Sequence, residues 1–204
     1  MNALQMATAE RTDLADLLAT LRPEQWEAPS LCKGWRVRDV VAHVMSFDVS
    51  PLTMFRRAIR SRMVHINQVG VDELALLSTD DLLDKLRAHL RPEGLATIFG
   101  GRLALLDVTI HHQDIRRPLG LPREIPAERL RLVLDSSLRS LELPAWRIAR
   151  GVHLITSDLD WSHGSGPEVS GPAEAMLMAI TGRACAVGEL TGPGQPVVAA
   201  RLAR

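Results

Sequence analysis

Seven histidines are spread over the 204 residues, and two of them stand where spacing gives an imidazole something to do. In the run LLDVTIHHQDIRR, Asp107 and His111 are i and i+4. On a helix, such side chains share one face with their Cβ atoms about 5–6 Å apart. Asp114, three residues further, shares that face, as do Leu103, Leu106 and Ile110. A carboxylate and an imidazole inside an apolar stripe are costly to bury unless they are paired or bound to something. His43 is flanked by Val40, Val44 and Phe47 and faces a second apolar seam. If the two helices pack by these faces, His43, Asp107 and His111 converge. Two imidazoles and one carboxylate are the usual donors of a catalytic divalent cation that keeps a position open. The plainer readings are a helix-stabilising Asp–His pair and a satisfied core histidine.

Around this set, Asp39 lies one turn before His43, where it would either orient the ring from behind or cap the helix. His112 points roughly 100° away from His111 and is the weaker candidate. Cys32, in a loop before Trp35, reads as a small buried hydrophobe more readily than as a reactive thiol. Arg116 and Arg117 close the helix, where a cation favours the dipole. Arg116 is also the candidate for holding an anionic substrate. His65 and His89 read as surface residues, His153 and His163 as structural or solvent-facing. Trp26, Trp35, Trp146 and Trp161 read as loop anchors. No G-x-S-x-G elbow, C-x-x-C, H-E-x-x-H, Walker or G-x-G-x-x-G motif occurs.

The elements that must position these residues follow from hydrophobic spacing. Leu14, Leu17, Leu18 and Leu21 mark a helix that Pro23 breaks, and 22–35 is a long loop. Val37, Val40, Val41 and Val44 mark a second helix. Pro51 starts a third, with Leu52, Phe55, Ile59 and Met63 on one side. Ser78 and Asp81 form a capping box before Leu82, Leu83, Leu86 and Leu90. The helix carrying Asp107 and His111 is expected to stop at Pro118 and Gly120, and Pro126 opens another. After Pro144, the segment 151–171 alternates apolar and polar residues around glycines and predicts two or three short strands. Pro172 then starts a helix, and the last residues look like a loosely held tail. The expected organisation is a helical bundle over 1–145 and a small α+β module over 146–204.

Composition bounds the partners. Lys+Arg and Asp+Glu are both 24, so the net charge is zero. A nucleic-acid binder needs surplus cationic charge, so none is expected as partner. No run of about 18 apolar residues predicts a membrane span. The N-terminus lacks the basic start and apolar run of a signal peptide. Two cysteines fit a reducing compartment, and the expected location is cytoplasmic.

At the residues just described the sequence resembles a known family. The run LRPEQWEAPSLCKGWRVRDVVAHV, residues 21–44, is similar to the opening of the mycothiol-dependent maleylpyruvate isomerase family, a branch of the DinB-like metal-binding bundles. LLDVTIHHQDIRRPLGLPR, residues 105–123, resembles its second motif, and residues 156–194 resemble a small C-terminal region found in many members. The resemblance implies a mainly α fold, a DinB-like four-helix bundle with a small C-terminal α+β module. It implies a divalent metal, usually zinc, held by His43, Asp107 and His111. Asp107 stands where the family more often has Glu, one methylene longer. Asp114 matches the motif's aspartate and is expected behind the ligands, as Asp39 is.

The activity implied is a metal-bound thiolate of mycothiol attacking an electrophilic small molecule, in an isomerase or a thiol transferase. Two rivals remain: a metal-dependent hydrolase that activates water, and a non-enzymatic helical binding module. The chain is expected to act as a monomer or a homodimer.

Overall fold

The structure is a computed structural model that describes residues 1–60 and 66–203. Met63 and His65 lie outside the described residues. The chain divides into two compact units, Met1–Arg123 and Glu124–Arg204.

The first unit is helical. Its elements are α1 (Ala3–Leu18), α2 (Pro23–Trp26), α3 (Val37–Ser46), α4 (Pro51–Arg60), α5 (Ile66–Leu74), α6 (Thr79–Ala88) and α7 (Arg102–Leu119), with a 3-10 segment over Gly94–Gly101. Four of them close a ring: α1 packs on α7, α7 on α3, α3 on α6 and α6 on α1. α1, α3 and α6 turn the stripes read from the sequence inward, and α7 adds Val108 and Ile115. Leu14, Leu18, Val37, Val40, Val41, Val44, Leu82, Leu86, Val108 and Ile115 are all buried in one core. Removing such side chains from water is worth about 1.5–3 kcal/mol each.

Polar contacts fix the register of this ring. Buried Arg11 on α1 donates to both oxygens of Asp48, at 2.6 and 3.1 Å, and to the carbonyls of Val44 and His89. It thereby clamps the C-terminal ends of α3 and α6. The Ser78–Asp81 capping box starts α6 as expected. Gly101 precedes α7 at φ +87°, where a Cβ would stand 2.8 Å from the Leu4 backbone; α1 and α7 approach closely here because the residue is glycine.

Several details differ from or refine the expectations, and α2 falls inside the stretch 22–35 expected as a loop. Pro118 does not stop α7. It sits in the last turn, and the helix ends one residue later at Leu119, capped by left-handed Gly120. A proline removes only one donor there, and ahead of a C-terminal glycine the loss is tolerated. Leu52, Phe55 and Ile59 do lie on one side of α4, but that side is exposed. The two compact units part at 123/124, so α8 groups with the second of them.

The second unit contains α8 (Ala127–Arg139), α9 (Ala145–Ala149), β1 (His153–Thr156), β2 (Ser162–Gly164), β3 (Glu168–Gly171), α10 (Ala173–Ile180), a 3-10 segment over Ala184–Glu189 and α11 (Gln195–Leu202). The sheet order is β2-β1-β3, β1 pairing antiparallel with β2 and parallel with β3. The apolar α10 packs on α8, α9, β1 and β3, so α8 belongs to this core. Trp161 donates from Nε1 to Asp135 at 2.9 Å and ties the sheet to α8. The expected loose tail is α11, docked by buried Val198 and by Arg201 bonds to the Ile148 and Arg150 carbonyls. No helix among the described residues is long and apolar enough to cross a membrane.

Candidate metal centre

The crossing of α3 and α7 brings His43, Asp107 and His111 together. One donor atom of each lies within 4.8 Å of the others. Oδ1 of Asp107 is 3.4 Å from Nε2 of His43 and 3.4 Å from Nε2 of His111. Zinc bonds of about 2.0–2.1 Å at tetrahedral angles separate neighbouring donors by about 3.3–3.4 Å. The side chain of Asp107 therefore stands at ligand spacing from both rings. It keeps 23% of its surface against 5% for His43, so the centre opens to solvent on the Asp107 side.

The tautomer of His111 sharpens this. Its Nδ1 lies 2.9 Å from Oδ2 of fully buried Asp114. With a hydrogen donated there, Nε2 offers its lone pair toward Asp107. A lone pair and a carboxylate oxygen facing each other in a largely buried site need positive charge between them, a proton or a cation. Ionisation directions agree. Burial opposes the charged form of Asp107, yet the imidazoles of His111 and His43 outweigh it and hold the carboxyl well below the usual range. Burial likewise opposes the His111 imidazolium, but Asp107, Asp114 and Cys32 hold its affinity for a proton well above the ordinary value. The donor set and its charge fit a bound divalent cation.

His43 is seated by packing. Its ring meets Trp35 at 4.9 Å and the edge of Phe47 at 5.3 Å, while its buried Nδ1 finds no hydrogen-bond partner among the described residues. Asp39 does not supply one. It accepts from the Arg36 backbone N–H at 2.9 Å and from the Arg36 guanidinium, capping α3. Trp35 was legible only as a loop anchor. It does anchor, its indole donating to Gln68 at 3.0 Å, and it also walls the centre.

Cys32 is neither a plain hydrophobe nor remote. Its Sγ is 3.1 Å from Oδ2 of Asp114 and 3.5 Å from Nδ1 of His111. No local signal marked it, because the loop residue and its partner are 82 positions apart.

His112 turns the other way. Fully buried, it places Nδ1 2.7 Å from Glu10 on α1 and accepts from Arg116 Nε at 2.8 Å. Arg123 also pairs with Glu10 and bonds Gln113. Arg116 is thus placed in this buried cluster, with a further bond to the Leu121 carbonyl, and not at the donor set. His89 is exposed. In the second unit, His163 is exposed and stacks on Trp161, and His153 is half-buried in β1. A groove there of about 370 Å³ is lined by Asp135, Arg139, Trp146, Arg150 and His163, with no converging set of three metal donors among the described residues.

Residues 7–93 match the family model described as the mycothiol maleylpyruvate isomerase N-terminal domain. Two solved structures share the fold across nearly the whole chain. One is the crystal structure of a mutant of the mycothiol-dependent maleylpyruvate isomerase, with a TM-score of 0.63 at 15% identity. The other is the crystal structure of the mycothiol-dependent maleylpyruvate isomerase, with a TM-score of 0.59 at 14% identity. Each alignment covers 95% of this chain and 92% of the other. No curated protein matches.

Proposed function

We propose that this chain, whose residues 7–93 match the mycothiol maleylpyruvate isomerase N-terminal domain, binds zinc through His43, Asp107 and His111 and works with a low-molecular-weight thiol, mycothiol. The reaction class is thiol-dependent isomerisation or thiol transfer on an electrophilic small molecule. The observation that carries the reading is the placement of Asp107 Oδ1 at 3.4 Å from two imidazole nitrogens, with Asp114 fixing the tautomer of one.

Zinc bound with a position left open lowers the pKa of a coordinated thiol, which supplies the nucleophilic thiolate at neutral pH. The chain's own residues do the rest. His43 and His111 present Nε2 lone pairs. Asp107 adds the compensating negative charge on the solvent-facing side. Asp114 holds the Nδ1 hydrogen of His111 and so keeps its Nε2 free to donate. Trp35 and Phe47 pack on His43 and exclude water from its flank. Arg116 and Asp39 have no part in this reading.

The mycothiol assignment is supported by the names of the two solved structures and of the matched domain, the zinc assignment by the donor set. Elemental analysis of protein purified without chelator or affinity metal tests the second. Turnover of maleylpyruvate and related electrophiles with and without mycothiol tests the first. About one zinc per chain and strictly thiol-dependent turnover are expected, both lost in His43→Ala. Turnover without thiol would move the protein to the hydrolases, and absence of bound metal would overturn the reading.

A further inference from the structure

We propose that Cys32 is a positioning residue, its thiol hydrogen donated to Asp114 so that the carboxylate holds His111 in the ligating orientation. The inference rests on reading His43, Asp107 and His111 as the metal ligands.

Cys32, His111 and Asp114 form a second set of metal-capable side chains that shares His111 with the first. Spacing separates the two. Zinc–sulfur bonds of about 2.3 Å, with nitrogen and oxygen bonds near 2.0–2.1 Å, would set sulfur and oxygen about 3.5 Å apart and nitrogen and oxygen about 3.3–3.4 Å apart. In the second set these separations are 3.1 and 2.9 Å. They are contacts across a shared hydrogen, whereas 3.4 Å in the first set exceeds a hydrogen bond. The carboxylate is an acceptor only, so the hydrogen between Sγ and Oδ2 is the thiol's. One oxygen of Asp114 therefore receives both the Cys32 S–H and the His111 N–H.

The chain around Cys32 is built to hold the sulfur in place. The backbone N–H of Leu31 donates to the Asp114 carbonyl at 3.0 Å. Ser30 Oγ bonds the Trp35 carbonyl at 2.8 Å and receives the Cys32 N–H at 3.1 Å. The turn closes through Trp35 N–H on the Cys32 carbonyl, with Gly34 at φ +82°. One tight turn thus serves both imidazoles: Trp35 packs on His43, and Cys32 fixes the carboxylate behind His111.

Two measurements on the full chain test this. The first is the infrared S–H stretch of metal-free protein carrying Cys185→Ala, which leaves Cys32 as the only thiol. The band is expected at the lowered frequency of a thiol bonded to carboxylate, rising in Asp114→Asn. A band at the frequency of a solvent-exposed thiol overturns the proposal. The second is zinc affinity by chelator competition. Cys32→Ala is expected to bind about 10-fold more weakly, the lower end for partners behind a metal ligand, and Cys32→Ser, which keeps a donor, to stay within about 3-fold of wild type. Wild-type affinity in a folded Cys32→Ala overturns it, as does thiolate-to-cobalt charge-transfer absorption in the cobalt-loaded protein, which would make Cys32 a ligand. A wild-type chain that binds no zinc overturns the proposed function, while the S–H band decides the bond to Asp114 separately.

Discussion

Nδ1 of His111 lies 2.9 Å from Oδ2 of Asp114, three residues along the same helix face. The aspartate is fully buried and the histidine nearly so, and the bond decides which imidazole nitrogen faces Asp107. Asp114→Ala leaves the ring free to take either tautomer. Its zinc affinity, measured by competition with a chromophoric chelator, is expected to fall by about 10- to 100-fold, with the helical circular dichroism retained.

Protons and metal compete for the same donors. The His111 imidazole holds its proton well above the ordinary value, because Asp107 and Asp114 outweigh its burial. Metal-free protein therefore favours that proton, and zinc must displace it. Calorimetry in buffers of different ionisation enthalpy is expected to show proton release on zinc binding, with affinity rising with pH across the neutral range. An Asp107→Asn variant should bind zinc more weakly and release fewer protons.

The cluster on the other side of α7 sets acid stability. Burial and the nearby Arg123 and Arg116 push His112 down to about 4, although its bond to Glu10 opposes this. Burial opposes ionisation of Glu10, but His112 and Arg123 hold it at about 2. The unfolded chain thus takes up protons from 6.5 downward at the histidine and from 4.5 downward at the glutamate, before the folded chain does. The contribution of this pair is expected to be full above pH 6.5 and to fall steadily toward pH 2, by about 3 kcal/mol in each window taken alone. Thermal melts against pH should show it. His112→Gln is expected to flatten the upper window. Glu10→Gln should cost about 3 kcal/mol near neutral pH by removing the charge partner of the largely buried Arg123 side chain, which keeps its bond to Gln113.

Gly101→Ala probes the close approach of α1 to α7. The new Cβ would meet the Leu4 backbone at 2.8 Å in a left-handed residue. A loss of about 2 kcal/mol or more is expected from chemical denaturation. Because α7 carries Asp107 and His111, zinc affinity should fall with it. Gly120→Ala has open space around the Cβ and should cost only the left-handed strain, about 1 kcal/mol.

The residues alone determined the helices and the i, i+4 relation. Val37 to Val44, the Ser78–Asp81 cap and the stripe through Leu106 and Ile110 are local patterns, and local geometry repeats them wherever the chain goes. Asp107, His111 and Asp114 shared a face for the same reason. Periodicity records which face is apolar and not what meets it. It could not tell that α8 packs with α10 in the second unit, nor that the face of α4 bearing Phe55 stays exposed. Tertiary structure alone decided that α3 crosses α7 so that His43 reaches Asp107. It also decided that Arg116 turns to His112 and that Asp39 closes a cap. The contact between Cys32 and Asp114 had no sequence signature either, since loops lack a period and their contacts arise only once the helices have packed.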